Sequence, residues 1–219
     1  MVSRSDIAET HVARVTQQHV DARRDAILRS AARLFARKGI SGATMQEIAN
    51  EADLSAGAIY RYYSSKEELL RAVFEDATTR NEQLFQDIAE KATSPLDALA
   101  QIGRWVWVEQ DDRDDLVCQI QMALKAAQDP EDLGVDLTQT REAMRGMLEA
   151  LIRQAQNAGE IDRGIDARHL AVILQTTTMG VQMMKLDHPT GLDVESIFEL
   201  FVQMVGGLGP QTGENERRG

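Results

Sequence analysis

The sequence predicts an all-α protein, with a three-helix helix-turn-helix domain at its amino end and a larger helical domain after it. Proline accounts for 4 of 219 residues and aromatic side chains for 5%, while alanine, leucine, glutamate, glutamine and arginine, which favour helices, are abundant. From Lys66 onward the apolar residues recur at helical spacing, in about six segments. These segments are separated at Ser94-Pro95, near Asp111, at Asp129-Pro130, at Gly159 and around Pro189-Gly191.

The stretch after Ala43 predicts the first helix of the motif and the turn that ends it. Thr44 is followed three residues later by Glu47, the spacing of a capping box that satisfies free backbone N–H groups at a helix start. Asp53 follows, and Leu54 fills the turn. The turn is therefore short and tight.

A second short helix is predicted from Ala56 to Tyr62, with Ser55 as its cap. Two short helices joined by a three-residue turn have the layout of a helix-turn-helix, whose second helix enters the major groove of DNA. The first turn of this helix is Ala56, Gly57 and Ala58, which are small enough for a close approach to a duplex. The pattern therefore predicts a DNA-reading unit.

The second helix continues into an aromatic block. We expect Tyr60 to pack inward, because it lies four residues after Ala56 and directly after Ile59. Tyr62 is then expected to face outward as a contact residue. For Arg61, contact with a base edge and simple surface exposure remain equally open.

A third helix is predicted to start at Lys66. Ser65 and Glu68 have the spacing of a second capping box, and the free N–H groups of the helix start, with Lys66 beside them, form an anion site. A cation in the first turn opposes the helix dipole and is tolerated chiefly when an anion is near. A phosphate is the expected partner, and a solvated lysine is the alternative.

Several positions between residues 24 and 70 recur together in one family pattern. They are Ile27, Ala31, Leu34, Phe35, Lys38-Gly39, Thr44, Ile48-Ala49, Ser55, Tyr60-Arg61-Tyr62-Tyr63 and Lys66-Glu67-Glu68-Leu69-Leu70. This stretch resembles the amino-terminal domain of the TetR family of transcriptional regulators. The resemblance is specific because many separate positions agree.

The resemblance implies a role for each matching residue of the motif. The implied phosphate contacts are Thr44, Tyr62 and Lys66, and the implied base-edge contacts are Ser55, Ala56, Gly57, Ala58 and Arg61. Asp53 departs from the pattern because the family usually has glycine there, and Tyr63 departs because the family usually has phenylalanine. We expect the turn to survive the first change.

The charge of the chain is distributed unevenly. Overall there are 24 basic and 35 acidic residues, which by itself argues against nucleic acid as a partner. Residues 21–66, however, carry eight basic and five acidic side chains, whereas residues 67–219 carry 14 basic and 28 acidic ones. A mildly basic head on an acidic body is expected of a protein that binds DNA at one end.

No constellation for catalysis or metal binding stands out in the sequence. The single cysteine, Cys118, has no partner for a disulfide or for metal-ligand spacing, and the histidines His11, His19, His169 and His188 are scattered. The amino end has no apolar signal core, and no stretch has the length of a membrane span. We expect a cytoplasmic protein that is not an enzyme, has no cofactor and does not contact membranes.

The larger domain contains candidates for an effector pocket. Trp105 and Trp107 lie two positions apart, so they point to roughly opposite sides of a helix that is apolar nearly all round. One can fill the core while the other lines a cavity. Methionine and tryptophan suit an adaptable pocket, and ordinary core packing is the alternative for each residue. The pocket candidates are Trp105, Trp107, Met122, Met144, Met147 and Met179.

The last two predicted helices are apolar on more than one side, so each needs more than one partner. A pair of such helices packing on its copy across a two-fold axis forms a four-helix bundle, and the family resemblance implies this homodimer. Burial inside a monomer is the alternative. The predicted interface residues are Val172, Met179, Met183, Phe198, Phe201 and Val205.

We therefore expect a DNA-binding domain at residues 21–66 and a helical effector-binding and dimerisation domain at residues 67–207. Residues 1–20 and 208–219 are expected to be flexible termini, although residues 1–20 could instead extend the first helix. The resemblance implies a homodimeric repressor that leaves a palindromic double-stranded DNA operator when an unknown small-molecule effector binds. A helical ligand-binding or interaction protein without operator binding, and a ligand-independent DNA regulator, are the alternatives.

Overall fold

The computed structural model describes residues 4–110, 112–128, 137–187 and 191–209, with side chains from residue 20 onward. Over these residues the regular structure is helical, which confirms the predicted all-α class. The helices are α1 (Arg4–Gly42), α2 (Met45–Glu51), α3 (Ala56–Ile59), α4 (Lys66–Lys91), α5 (Pro95–Arg104), α6 (Arg113–Gln128), α7 (Leu137–Ala158), α8 (Ala167–Asp187) and α9 (Val194–Gly206), with a π-helical turn at Trp105–Glu109. Within the described residues, no helix is both long and apolar enough to span a membrane.

The chain forms two compact units. The amino-terminal unit consists of Met1–Ala77 and Asp114–Val135, and the carboxy-terminal unit consists of Thr78–Arg113 and Asp136–Gly219. The sequence analysis predicted a domain boundary after residue 66. The amino-terminal unit extends further because it includes the first turns of α4 and also α6, which is distant in sequence.

The core of the amino-terminal unit explains why α6 belongs to it. Cys118 and Met122 of α6 are 3% and 1% exposed and pack in one cluster with the apolar faces of α1 to α4. The α1 to α4 residues of that cluster include Ile27, Ala31, Leu34, Phe35, Ile48, Ala49, Ile59, Leu69 and Leu70. The helix-turn-helix is thus held from behind by α6 as well as by α1 and α4.

Helix α1 is interrupted at Gly39. This residue has φ 77° and ψ 156°, outside the helical region, and the chain resumes a helical turn up to Gly42. Only glycine adopts such a conformation without strain. The break lies four residues before Ala43, which leads directly into α2.

Replacing Gly39 by alanine should lower the free energy of unfolding by about 1–2 kcal/mol, because a Cβ atom is strained at positive φ. An added Cβ would not clash, since the nearest heavy atom, Gln121 Oε1, is at a contact distance of 3.9 Å. Gly42→Ala is the matched control, because its Cβ makes an ordinary 3.8 Å contact and its φ is not positive. Urea denaturation of both variants measures the difference, and equal stability of the two would contradict the account.

The Cys118 thiol should be unreactive in the folded protein. Burial, with a smaller contribution from nearby Asp115, raises the pKa of Cys118 to about 12, so the reactive thiolate is scarce at neutral pH. We expect an aromatic disulfide reagent to modify Cys118 at pH 8 only when the amino-terminal unit opens, and rapidly in guanidinium chloride. Rapid modification of the native protein would show that α6 is not packed as described.

The carboxy-terminal unit is built around α5, α7, α8 and α9. The loop between α7 and α8 turns at Gly159, which has φ 78°, at the position where the sequence predicted a break. Gln156, a buried polar residue, donates to the carbonyl oxygens of Asp162 and Ile165 at 3.0 and 2.7 Å. These bonds hold the loop between the two helices.

The termini differ in part from the expectation of flexible ends. Helix α1 already begins at Arg4, so the backbone of residues 4–20 extends the first helix, which was the alternative prediction. At the other end, Leu208 packs on an apolar cluster of the carboxy-terminal unit, and its carbonyl oxygen accepts a bond from the Asp162 N–H at 2.9 Å. The expected flexible residues 210–219 lie outside the described part.

Candidate nucleic-acid interface

The first helix of the motif starts with the predicted capping box. The Thr44 hydroxyl oxygen accepts from the Glu47 N–H at 3.3 Å, and the Glu47 carboxylate accepts from the Thr44 N–H at 3.1 Å. The Lys38 ammonium and the Thr44 groups hold the pKa of Glu47 below its ordinary value of 4.5. The stabilisation by this carboxylate is therefore present above that pH and is lost as pH falls through the lowered pKa.

Several basic side chains of residues 21–66 form ion pairs within that same segment. Lys38 pairs with Glu47 at 2.6 Å, and Arg33 and Arg37 both pair with Glu51. These ion pairs join α1 to α2. The count of basic residues in the sequence therefore overstates the number of cations available to a phosphate backbone.

The turn between α2 and α3 is formed as predicted. Asp53 has φ 56°, the single positive φ of a non-glycine residue in the described chain. The Leu54 N–H donates to the carbonyl oxygen of Ala49 at 2.8 Å, which closes the end of α2. Aspartate thus takes the left-handed position without loss of the turn.

The second helix of the motif is shorter than predicted. Ser55 caps it, accepting from the Ala58 N–H at 3.2 Å, but α3 ends at Ile59 and the chain continues to Tyr62 as turns. Gly57 is exposed, and a Cβ added to it would meet no heavy atom within 4 Å. The leading turn of α3 therefore presents backbone and small side chains to solvent.

The aromatic block packs differently from the prediction for Tyr60. Tyr60 is 55% exposed, whereas Ile59 and Tyr63 are buried. The prediction was wrong because the inward face is set by Ile59 and Tyr63, four residues apart, and Tyr60 is rotated away from it by one helical step. Tyr62 is half-buried against the core of the unit, so only part of it is free to contact a ligand.

Arg61 is exposed. Among the described residues we find no hydrogen bond or ion pair for its guanidinium, in contrast to Arg33 and Arg37 of the same unit. A guanidinium has five N–H donors in a planar fork that fits the acceptor edge of guanine or a phosphate. Arg61 is thus a free donor beside the small residues of α3.

Lys66 has a structural partner that the sequence did not indicate. Its ammonium donates to the carbonyl oxygens of Ser41 and Ala43, at 3.3 and 3.2 Å, at the end of α1. An ammonium group has three N–H donors, so one remains for another acceptor. Lys66 therefore ties the start of α4 to the start of the motif.

The second capping box is only half formed. Ser65 accepts from the Glu68 N–H at 3.1 Å as predicted. The Glu68 carboxylate, however, accepts from the N–H and hydroxyl of Ser64, at 2.7 and 2.6 Å, rather than from Ser65. These bonds from Ser64 lower the pKa of Glu68 and fix the chain that enters α4.

Comparison with known proteins agrees with this geometry. Residues 27–73 match the family described as "Bacterial regulatory proteins, tetR family". The HTH-type transcriptional repressor KstR2 of Mycolicibacterium smegmatis is 36% identical over 77 residues, which is 35% of this chain and 38% of that protein. Residues 27–73 thus match the DNA-binding domain of the TetR family. The alignment with KstR2 covers less than half of the length of that protein.

The TetR-family fold extends over most of the chain. A TetR transcription regulator from Haloarcula marismortui has a TM-score of 0.74 at 22% identity, covering 87% of this chain and 100% of that one. FadR from Bacillus subtilis, solved in complex with stearoyl-CoA, has a TM-score of 0.68 at 20% identity, covering 82% and 96%. At these identities the likeness shows the fold.

The residues that were predicted to line an effector pocket do not all lie together in the structure. Met122 was expected to line a pocket, but it is fixed in the core of the amino-terminal unit because α6 packs there. Trp105, Met144 and Met147 lie together, half-buried, in a cluster in which Phe85 meets the Trp105 ring edge-on at 5.7 Å. Three of the six predicted residues thus share one apolar cluster.

Trp107 lies in a different cluster, as the sequence predicted from its spacing to Trp105. It is 2% exposed, its indole N–H donates to the Thr178 hydroxyl at 3.0 Å, and its ring contacts Phe198 and Phe201 at centroid distances of 5.6 and 4.9 Å. Trp107 is therefore a core residue. Met179, which the sequence placed in both the pocket and the interface, is 52% exposed on α8.

The predicted dimer residues divide into exposed and buried ones. Phe198 was expected at the interface, but it is buried at 7% because it packs on Trp107, and Phe201 and Val205 are half-buried. The rest of the face is open. Its exposed apolar residues are Val172, Ile173, Met179, Met183, Met184, Ile197, Leu200 and Met204.

In the described part of the chain, no group of three or more histidine, cysteine, aspartate or glutamate side chains is placed to hold a metal ion. His169 lies on the surface near the start of α8, 3.6 Å from the Asp166 carboxylate. Asp166 accepts from the His169 N–H at 2.8 Å, which is a cap of the helix start. Asp166 therefore caps the start of α8, and the His169 ring lies beside it on the surface.

Proposed function

We propose that this chain is a TetR-family DNA-binding transcriptional regulator that acts as a repressor on a palindromic operator. The observation that carries the proposal is the surface formed by the start of α2 and by α3. It combines the exposed Thr44 cap, the open backbone around Gly57 and the unpaired guanidinium of Arg61. Such a surface fits the major groove of a duplex.

The motif residues have two kinds of role in this proposal. Thr44, the half-buried Tyr62 and the remaining N–H of Lys66 bind phosphates, which position the unit on the duplex. Ser55, Ala56, Gly57, Ala58 and Arg61 face the base edges, where Arg61 supplies the specific donor and the small residues permit the approach. The name of the KstR2 relative, a transcriptional repressor, supports repression as the direction of control.

The partner of the exposed apolar face on α8 and α9 is a second copy of the chain. The two helices carry eight large apolar residues that are more than a third exposed, which is typical of an interface rather than of a free surface. Two copies would form a four-helix bundle and present two reading units to a palindrome.

A charge in this face should separate the two copies. Met183→Glu buries a carboxylate in the proposed interface, so we expect a monomer in sedimentation analysis at micromolar concentration, where the unmodified protein is a dimer. Glu199→Lys, which changes an already exposed polar position of α9, is the comparison variant. A dimer in both variants would mean that the copies meet elsewhere.

The effector of the proposed repressor is a small molecule with an apolar part that packs beside Trp105, Met144 and Met147. These residues are half-buried and soft, and Phe85 closes one side of the cluster. Because α4 begins in the amino-terminal unit and ends in the carboxy-terminal one, an effector that changes the packing beside Phe85 would move α4. Stearoyl-CoA, present in the FadR structure from Bacillus subtilis, is the first compound to test.

The function is tested by selecting binding sites from a random duplex pool and then mapping the footprint. We expect a palindromic consensus, protected on one face of the duplex, which the effector releases. Selection of a site that no compound releases would favour the ligand-independent regulator. Failure to enrich any sequence would favour a ligand-binding protein without an operator. A cytoplasmic location and the absence of catalysis remain predictions.

A further inference from the structure

The side chain of Gln121 in α6 lies across the break in α1. Its amide oxygen accepts from the Ile40 N–H at 3.2 Å, and its amide nitrogen donates to the Ala36 carbonyl oxygen at 3.4 Å. The two partners are separated from Gln121 by more than 80 residues in sequence. All three residues belong to the amino-terminal unit.

These two backbone groups would be partners of each other in an uninterrupted helix. An α-helix pairs the N–H of each residue with the carbonyl oxygen four residues before it, which for Ile40 is Ala36. Gly39, with φ 77° and ψ 156°, prevents the ladder from running regularly through this point. The carboxamide of Gln121 thus supplies one acceptor and one donor where the helix cannot.

The turn that Gln121 holds carries the candidate interface. Ile40 and Ala43 are buried in the unit's core, and Thr44, the cap of α2, follows directly. The carbonyl oxygens of Ser41 and Ala43 are the acceptors for Lys66. Thr44 and Lys66, two proposed phosphate ligands, are therefore both attached to the turn formed by residues 40–43. The first N–H group of that turn, that of Ile40, donates to Gln121 of α6.

We propose that Gln121 is a positioning residue for DNA binding, which sets the turn after Gly39 by replacing the missing hydrogen bond of α1. The inference rests on the proposed function for its effect on DNA, but its structural part, the protection of the Ile40 amide, does not. A carboxamide is suited to this task because it offers a donor and an acceptor in one plane. An apolar side chain of the same length fills the space and offers neither.

The test compares Gln121→Met with Gln121→Glu. Methionine keeps the length of the side chain and removes both hydrogen bonds. A protonated glutamate can accept from the Ile40 N–H and donate to the Ala36 carbonyl oxygen. An ionised glutamate places a charged oxygen against that carbonyl oxygen, so repulsion moves the carboxylate away from the turn and both bonds are lost. A protonated carboxyl group therefore reproduces the amide, and an ionised one does not, which makes the glutamate variant a switch that pH controls.

Charged groups on the elements around this turn are already bonded to other partners. Lys66 of α4 donates to the carbonyl oxygens of Ser41 and Ala43. Arg37 and Lys38, in the facing turn of α1, are paired with Glu51 and Glu47. Glu47 stays ionised in mildly acidic solution because its pKa is lowered. On α6 itself, the Cys118 thiol stays neutral because burial raises its pKa to about 12.

The first readout is the hydrogen-exchange protection of the Ile40 amide, measured by NMR with selective isoleucine labelling at about pH 5 and pH 8. We expect Gln121→Met to lose about tenfold in protection at both values, the scale of one buried hydrogen bond. Gln121→Glu should lose as much at the higher pH and recover at the lower one. Unchanged protection in the methionine variant would overturn the inference.

The second readout is affinity for the selected operator, expressed relative to unmodified protein at the same pH. It should fall about tenfold in the methionine variant and follow the pH-dependent rescue in the glutamate variant. A mere loss of packing would not be rescued by protonation. Lost protection with unchanged operator affinity would overturn the positioning role.

A control separates this inference from the proposed function. Trp105 and Trp107 are both in the carboxy-terminal unit, so tryptophan emission should be the same in all three proteins if that unit is intact. If the unmodified protein binds no DNA, the proposed function fails. The Ile40 protection then still decides whether Gln121 holds the turn.

Discussion

Gly57→Glu should reduce operator affinity by more than about 100-fold without reducing stability. A carboxylate on the leading turn of α3 would meet the base edges and phosphates of the duplex, and a loss of about 3 kcal/mol corresponds to a factor above 100. Stability should be unchanged or slightly higher, since an added Cβ meets no heavy atom within 4 Å and glycine is a poor helix former. Fluorescence anisotropy and urea denaturation give the two quantities.

The matched control for this variant is Gly146→Glu in α7. Gly146 is also an exposed helical glycine with no heavy atom within 4 Å of an added Cβ, and the change adds the same charge. It lies in the carboxy-terminal unit, so we expect operator affinity close to that of the unmodified protein. Equal losses in both variants would mean that overall charge, not the α3 surface, determines binding.

Trp107→Ala should cause the largest loss of stability, about 3–5 kcal/mol in the free energy of unfolding. The side chain is 2% exposed, and its removal leaves the Thr178 hydroxyl without its donor and the rings of Phe198 and Phe201 without their partner. Denaturation is followed by circular dichroism at fixed protein concentration, because dimerisation would make stability depend on concentration.

Trp105→Ala is the internal comparison for this loss. Trp105 is half-buried and makes an edge-on contact with Phe85, so its removal should cost less than half as much. The same variant should weaken release of the operator by an effector, if the pocket lies beside Trp105. A larger loss of stability from Trp105 than from Trp107 would reverse the assignment of core and pocket residues.

The local features of the motif could be predicted from the sequence because their partners are close in the chain. Thr44 and Glu47 are three residues apart, as are Ser55 and Ala58, and both caps form as expected. The family resemblance implied a turn position usually held by glycine, and the tolerance of aspartate for a left-handed backbone predicted that the turn would survive at Asp53. In these cases spacing and residue type are sufficient.

The residues whose location differs from the prediction are those that contact residues distant in the sequence. Met122 was expected in a pocket, and Phe198 at an interface, because an apolar side chain does not indicate which surface will cover it. Likewise Gln121, which bonds to residues more than 80 positions away, gives no signal in the sequence. The periodicity of an isolated helix shows which face is apolar but not which helix packs on it.

Recognition of DNA by the α2–α3 surface can be measured in a salt series. Affinity is measured for the DNA upstream of the protein's own gene and for unrelated DNA of equal length, with Arg61→Ala beside the unmodified protein. We expect selective, strongly salt-dependent binding to the upstream DNA, and a reduction of selectivity in the Arg61 variant by about 1–3 kcal/mol. Selectivity that Arg61→Ala and Gly57→Glu both leave intact would contradict recognition of DNA by that surface.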